Sequence, residues 1–246
     1  MFPIRDLNPT RITPIITIAL IGVNIFVFFF AQPRDNPEEE IDFLYENAAV
    51  ACEFTTGQPL TQDEIDFDRC LDDAGTPKFP DKNIWLAGLV TMFLHGGIGH
   101  LFSNMWFLWI FGNNVEEAYG KIGYLLLYLA TGAVATAAFV VGNSQTTVPI
   151  IGASGAIAGV LGAYLVLFPT HRVLTLFLFF FIHVPAGAYL ALWFFLQFVI
   201  QEAGVAWDAH VAGFIAGVLI TLPLRSVLLA RVQRLHQPVP HYRFTR

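Results

Sequence analysis

A serine between small residues begins an apolar segment in the stretch Gly152-Ala153-Ser154-Gly155. A histidine, His210, lies in the first turn of another apolar segment. A serine hydroxyl beside a histidine base is an activated nucleophile for acyl transfer. Gly, Ala and Ser also line many membrane helices because they let backbones approach, so packing is the alternative role for Ser154. The choice depends on whether folding brings His210 to Ser154.

Two further polar residues belong to a third apolar segment. His100 and Asn104 are four residues apart, so they share one face of a helix. Polar groups inside a bilayer are costly, and they usually face a bundle interior or a water-filled cavity. We expect both side chains to donate hydrogen bonds to the oxyanion of acyl transfer, together with the backbone N–H of Ser154. A structural hydrogen-bonding role inside the bundle is the alternative.

The elements that must position these residues are membrane helices. The chain has 246 residues, of which 55% are hydrophobic and 13% charged, and its mean hydropathy is +0.59. Soluble domains carry about 25% charged residues, so this composition indicates a polytopic membrane protein with the lipid bilayer as a partner. No basic cluster is interleaved with aromatic residues outside the apolar segments, which argues against nucleic acid as a partner.

The apolar segments predict six membrane spans, since about 20 apolar residues cross a hydrocarbon core of about 30 Å. The predicted fold class is an all-α membrane protein, a single domain over 1–246 with a large, partly helical first loop outside the cytoplasm. The run from Val173 to Ile200 is too long for one straight crossing. Pro185 breaks it, so Val173–His183 is interpreted as a partly embedded connector. The predicted spans are approximately 14–31, 101–119, 122–141, 151–168, 184–201 and 209–228, with an outward loop 32–100 and a cytoplasmic tail 229–246.

The distribution of charge predicts the orientation. Nine of the thirteen Lys and Arg residues lie on the side of the termini, so the positive-inside rule puts both termini in the cytoplasm. The region 32–85 carries fourteen acidic residues against four basic ones, and it contains Cys52 and Cys70. In an oxidising compartment these cysteines are candidates for a disulfide. Two unpaired thiols are the alternative, and no metal site is predicted.

With this topology the candidate residues lie at similar depth near the outer face. Spans four and six each carry a stripe of small residues, so we expect them to pack backbone to backbone and to bring His210 to Ser154. The small residues are Gly155, Gly159 and Ala163 on span four, and Gly213 and Gly217 below His210 on span six.

A Ser–His dyad without a carboxylate is favoured. Asp208 lies about 200° around the helix from His210, so it points elsewhere and is predicted to cap the sixth span. Glu202 reaches the site only if its loop folds back. His95 has two open roles, organising its loop or catalysis, and Glu116 is expected to tie loop ends near the cytoplasmic face. The remaining histidines are expected to be interfacial or solvated: His171, His183, His236 and His241.

These motifs resemble the rhomboid family of intramembrane serine proteases over residues 85–224. The resemblance rests on the pattern of His95, His100 and Asn104, on the Ser154 motif and on the segment around His210. The family's Gly-xxx-Glu-xxx-Gly pattern also occurs, at Gly112, Glu116 and Gly120. One departure concerns the first loop, where the family's Trp-Arg pair is replaced by Trp85 followed by Leu86.

The resemblance implies the six-helix rhomboid core, with Ser154 as nucleophile and His210 as general base and then acid. It assigns His100 and Asn104 to the oxyanion hole. It also implies a cavity open to the outside that supplies water, with a mobile cap at Glu202–Trp207. A fifth helix carrying Trp193 would flank the path of the substrate helix.

The predicted function is an intramembrane serine endopeptidase that needs no cofactor. It would cleave transmembrane segments of membrane protein substrates near the outer face, through an acyl-enzyme on Ser154. Short termini favour a bacterial inner membrane. The first alternative is a catalytically silent rhomboid-like protein that binds membrane clients. A small transporter is the second alternative, and the clustering of the polar residues near one face argues against it.

Overall fold

A computed structural model describes residues 1–71, 75–199 and 205–237 as a mostly helical chain with five short strands. Its helices are α1 Ile15–Phe26, α2 Pro37–Asn47, α3 Ala51–Thr56, α4 Gln62–Phe67, α5 Ile84–Val90, α6 Ile98–Gly142, α7 Ser154–Leu167, α8 Ala186–Val199, α9 Trp207–Thr221 and α10 Arg225–His236. Its strands are β1 Phe2–Asp6, β2 Ala49–Val50, β3 Pro149–Ile150, β4 Arg172–Phe177 and β5 Phe180–Pro185.

Among the described residues, two helical stretches are long and apolar enough to cross a membrane: Ile98–Gly142 and Trp207–His236. The other apolar helices are shorter: Ile15–Ala31, Ile84–Phe93, Ser154–Leu167 and Ala186–Val199. Each predicted span therefore coincides with an apolar helix, except that α6 contains two of them. The π-helical turn Val27–Ala31 extends α1 to the predicted end of the first span.

Helix α6 is broken at Gly120, whose φ of 72° and ψ of 168° are not helical. A residue with a Cβ rarely adopts this conformation, so glycine permits the chain to reverse there. The two halves, 98–119 and 121–142, then lie side by side. Their close approach is seen at Gly112, where an added Cβ would come within 2.6 Å of the Tyr124 hydroxyl. The predicted boundary between spans 101–119 and 122–141 falls at this break.

Helix α7 is the centre of the bundle, and its small residues serve two neighbours. A Cβ at Gly159 would overlap the side chain of Thr131 on the second half of α6. On the other side, α9 approaches so closely that a Cβ at Gly213 or Gly217 would overlap the carbonyl oxygen of Gly155 or Gly159. The predicted backbone contact between the two helices is therefore present. A Cβ at Gly162 of α7 would also overlap the carbonyl oxygen of Phe214, so Gly162 is a further small residue at this contact that the prediction did not name.

The chain is mostly helical, and it also forms two small antiparallel sheets that the all-α prediction did not include. The larger sheet has the order β1-β4-β5, with Asp6 opposite Val173 and Val173 opposite Val184. Val173 and Thr175 are fully buried while their neighbours are more exposed, which is the period of two of a strand. Hydropathy alone did not reveal this alternation, so the predicted connector Val173–His183 is a β-hairpin. The smaller sheet pairs β2, in the loop between α1 and α6, with β3, just before Ser154.

The loop between α1 and α6 folds around buried polar contacts. Cys52 and Cys70 are joined by a disulfide. Their sulfurs are bonded to each other, so they do not offer thiolates to a metal at the cluster they form with Glu64. Lys82 lies 2.6 Å from Glu53, and both side chains are almost fully buried. Burial raises the pKa of the Glu53 carboxyl and lowers the pKa of the Lys82 ammonium, while the contact between them opposes both shifts.

Glu116 holds the start of α1. Its carboxylate accepts hydrogen bonds from the backbone N–H groups of Ile16 and Thr17, at 3.0 and 2.8 Å, and from the Thr17 hydroxyl at 2.8 Å. These N–H groups have no partner within the helix, and a negative charge there complements the helix dipole. The glutamate therefore ties the first helix to the first half of α6.

The segment predicted as a cytoplasmic tail, 229–246, begins inside a helix. A 3-10 turn, Leu222–Leu224, joins α9 to α10, which runs to His236; residues 238–246 lie outside the described part of the chain. Arg231 donates to the backbone carbonyl of Glu117, and His236 lies 3.0 Å from the Glu117 carboxylate. These contacts hold α10 against the end of helix 98–119. They satisfy the backbone carbonyl and the carboxylate of Glu117. They also place His236, whose side chain is 26% exposed, in a part-buried contact with the buried Glu117 carboxylate.

Candidate active site

Ser154 is the first residue of α7, and the glycine before it shapes the approach. Gly152 has a φ of 124°, and its N–H donates to the carbonyl of Thr91 at 3.0 Å. A Cβ at Gly152 would lie 2.7 Å from Nε2 of His100. Only glycine fits both this backbone conformation and this space. The turn therefore sets the Ser154 side chain close to His100.

His210 reaches Ser154 from α9. Its Nε2 lies 2.8 Å from Oγ of Ser154, which is hydrogen-bond distance. The contact between α7 and α9 carries this geometry, because the glycines below His210 let the two backbones approach. The sequence-predicted pair is therefore together in the structure, in the arrangement of an activated serine nucleophile.

The other ring nitrogen of His210 contacts a residue that the sequence reasoning missed. Nδ1 lies 2.8 Å from Oε1 of Gln197 on α8. The ring of Trp193, one turn earlier on α8, lies 6.1 Å from the His210 ring between centroids. Gln197 is the one carboxamide in the apolar stretch 186–199, and this isolated polar residue could have indicated a partner in the site. Glu202, the carboxylate considered for this place, lies outside the described residues.

The residue that precedes helix α9 is Ala206, so the prediction that Asp208 caps the sixth span is wrong. Helix α9 begins at Trp207, so Asp208 already lies inside its first turn. Its carboxylate accepts a hydrogen bond from the Asn143 side chain at 2.5 Å. Asp208 therefore ties the start of α9 to the end of α6.

His100 and Asn104 line one cavity with Ser154 and His210. The cavity has a volume of about 880 Å³ and is bounded by both halves of α6, the segment before α7, and α7, α8 and α9. Asn104 is 6% exposed, and within the described part of the chain its Nδ2 has no hydrogen-bond partner. A buried N–H donor without a partner is unusual and costly. The cavity that Ser154 lines therefore also contains an unpartnered donor.

His95 is fully buried in the loop before α6. Its backbone exchanges two hydrogen bonds with the side chain of Gln32, at 3.0 and 2.9 Å. Its ring packs edge-on against His100, with centroids 5.1 Å apart. These contacts favour the loop-organising role among the two roles left open.

Comparison with known proteins places this geometry in a family. A family model described as "Rhomboid domain" matches residues 82–227. The chain is 44% identical over 81 residues to "Rhomboid protease GluP" of Bacillus subtilis, covering 33% of the chain and 15% of the relative. It is 34% identical over 139 residues to "Rhomboid protein 1, mitochondrial" of Saccharomyces cerevisiae, covering 52% of the chain and 38% of the relative.

A third relative is "Presenilin-associated rhomboid-like protein, mitochondrial" of Homo sapiens, 33% identical over 92 residues, covering 37% of the chain and 24% of the relative. The chain thus covers well under two thirds of the length of each of these relatives. The family match covers more than half of the chain and contains Ser154, His210, His100 and Asn104. The chain belongs to the rhomboid family of integral membrane proteins.

Proposed function

We propose that the chain is an intramembrane serine endopeptidase that cleaves transmembrane segments of other membrane proteins. The observation that carries the proposal is the 2.8 Å contact between Ser154 Oγ and His210 Nε2 at the wall of a large cavity. The relatives include proteins named as proteases and proteins named only as rhomboid-like. The case for catalysis therefore rests on the side-chain geometry.

The reaction follows from this contact. Nε2 of His210 takes the hydroxyl proton as Oγ of Ser154 attacks the scissile carbonyl carbon. The protonated imidazole then gives the proton to the leaving amine as the C–N bond breaks, which leaves an acyl-enzyme ester on Ser154. Water, deprotonated by His210, attacks the ester, and the proton returns to Ser154 with release of the new carboxyl terminus. No cofactor takes part in these steps.

Three donors would stabilise the oxyanion of each step. Asn104 supplies the unpartnered Nδ2, and His100 lines the same cavity. Ser154 is the first residue of α7, so its backbone N–H has no partner inside the helix. Losing one such donor costs about 10²- to 10³-fold in kcat in a soluble serine protease.

The six-span topology is part of the proposal. We assign the spans to α1 with its π-helical turn, the two halves of α6, and α7, α8 and α9. His100, Ser154 and His210 all lie within the first turn of their helices, which supports a site at one face of the membrane. The positive-inside rule makes that face the outer one, with both termini in the cytoplasm. A bacterial inner membrane is the proposed location.

The test is labelling and cleavage by matched serine variants. The purified chain, reconstituted in liposomes, is treated with a fluorophosphonate and separately given a model transmembrane substrate. We expect the parent to label and to cleave, and Ser154→Ala and His210→Ala to lose both by more than about 10³-fold. Ser144→Ala, the same change in the turn after α6, should behave as the parent. Equal labelling of Ser154→Ala would contradict the mechanism.

A parent that binds the substrate without labelling or cleavage would instead favour the catalytically silent client-binding protein. Binding is read in the same liposomes by crosslinking of the intact substrate.

A further inference from the structure

The side of His210 that faces away from Ser154 contacts α8. Nδ1 of His210 lies 2.8 Å from Oε1 of Gln197, while Nε2 lies 2.8 Å from Ser154. A carboxamide in an apolar membrane helix is costly unless its polar atoms are paired. Gln197 is half-buried, and the pairing with His210 satisfies its oxygen.

A second hydrogen bond determines which way the Gln197 amide points. Its Nε2 donates to the backbone carbonyl of Trp193 at 3.2 Å. Turning the amide over would set its oxygen against that carbonyl oxygen, two acceptors in contact. The oxygen therefore faces His210, and it can only accept a hydrogen bond from the ring.

The tautomer of His210 follows from this. A neutral imidazole carries one N–H, and Gln197 requires it at Nδ1. Nε2 then has a free lone pair directed at the Ser154 hydroxyl, which is the state that a general base needs. The opposite tautomer would set Nε2–H against Ser154 and two acceptors against each other at Gln197.

We propose that Gln197 is a positioning residue that holds His210 in the Nδ1–H tautomer and in the ring orientation that serves Ser154. This inference rests on the proposed proteolytic function. After proton transfer both ring nitrogens carry hydrogen, and Oε1 of Gln197 continues to accept from Nδ1–H. A buried Asp has this role in soluble triads. Here a neutral amide has it, which avoids a carboxylate inside the membrane.

The first experiment compares kinetic constants for three variants of α8 in liposomes with a transmembrane substrate. Gln197→Leu keeps the approximate volume and removes the acceptor, so we expect kcat to fall about 10- to 100-fold with KM unchanged. Phe195→Leu also places a leucine on α8, at a side chain 60% exposed, and should stay within about twofold of the parent. Equal kcat for Gln197→Leu and Phe195→Leu would overturn the inference.

Gln197→Glu restores an acceptor and adds a charge. We expect it to recover most of the activity that Gln197→Leu loses, measured at alkaline pH. The acidic limb of its kcat/KM profile should lie at higher pH than in the parent, because a carboxylate stabilises the protonated imidazole. The other titratable groups near His210, namely His100 on α6 and Asp208 on α9, are the same in all variants. An unshifted profile, or no recovery, would overturn the inference.

The tautomer itself is read in the parent, which removes any dependence on the folding of a variant. Nitrogen-15 NMR of histidine-labelled protein distinguishes the two N–H positions, and His210→Asn identifies the signal. We expect the Nδ1–H form, and an Nε2–H form would overturn the inference. A parent that neither labels nor cleaves would overturn the proposed function instead, so the two failures are distinguishable.

Discussion

At the scale of single residues, the site depends on a backbone position that only glycine can occupy. Gly152 has a left-handed φ, and its missing Cβ leaves room for the His100 ring. Asn104 lines the same cavity, and its Nδ2 has no hydrogen-bond partner in the described structure. The residues proposed to act in catalysis are therefore positioned by a neighbour, Gly152, that has no reactive side chain.

Gly152→Ala tests this dependence. An added Cβ would meet Nε2 of His100 at 2.7 Å and would also strain the backbone, so we expect the serine to shift from its place. A misplacement of about 1 Å costs about 10²-fold in rate, and kcat for substrate cleavage should fall by about that factor. Gly22→Ala on α1, where nothing lies within 4 Å of the new Cβ, is the control and should cleave as the parent does.

At the scale of elements, the contact between α7 and α9 positions the dyad. The carbonyl oxygens of α7 lie where Cβ atoms of α9 would be, so the two backbones touch over two helical turns. His210, Gly213 and Gly217 lie on one face of α9, and the glycines thus set the distance from His210 to Ser154. The spacing of these residues in the sequence predicts the contact, because small side chains let two helices approach closely.

Gly217→Ala should separate these helices. The new Cβ would overlap the Gly159 carbonyl, and overpacking of this kind costs about 1–3 kcal/mol. We expect a lower thermal unfolding temperature together with weaker fluorophosphonate labelling of Ser154. Gly123→Ala, whose Cβ would meet Tyr119 at 3.4 Å, makes ordinary contact and should change neither measurement. Full labelling of Gly217→Ala would show that the contact does not set the dyad.

At the scale of the whole molecule, the N-terminal strand joins the sheet to the bundle. Asp6 of β1 accepts hydrogen bonds from Asn114 on α6 at 2.6 Å and from Tyr164 on α7 at 2.7 Å. Burial raises the pKa of Asp6 to about 6, and hydrogen bonds from Tyr164 and from the backbone of Asn8 and Leu7 offset only part of the rise. The N-terminus is therefore attached most firmly when Asp6 is protonated.

Stability should accordingly depend on pH through Asp6. The folded chain binds its proton more tightly than the unfolded chain, so the contribution is present at low pH and is lost as pH rises through about 6. Its size is up to about 3 kcal/mol, since one pKa unit corresponds to about 1.4 kcal/mol. The measurement is the thermal unfolding temperature in detergent from pH 4.5 to 7.5. The difference between the parent and Asp6→Asn should change across that range, and a constant difference would contradict the prediction.

The sequence by itself determined the membrane class, the candidate dyad and the glycine contact beside it. These follow from local rules: apolar length sets a span, polar residues in a span must face one another, and glycines at helical spacing mark close packing. The catalytic roles stay a prediction until Ser154 and His210 are replaced.

Only the tertiary structure decided which residue contacts the far side of His210 and where the strands pair. Gln197 reaches His210 because packing sets the rotation of α8, and no pattern along one helix encodes that rotation. The sheet joins β1 to β4, more than 160 residues later in the chain, and hydropathy does not specify a strand's partner. Local sequence patterns determine where the apolar helices form, and long-range packing determines which residues the helices and strands contact.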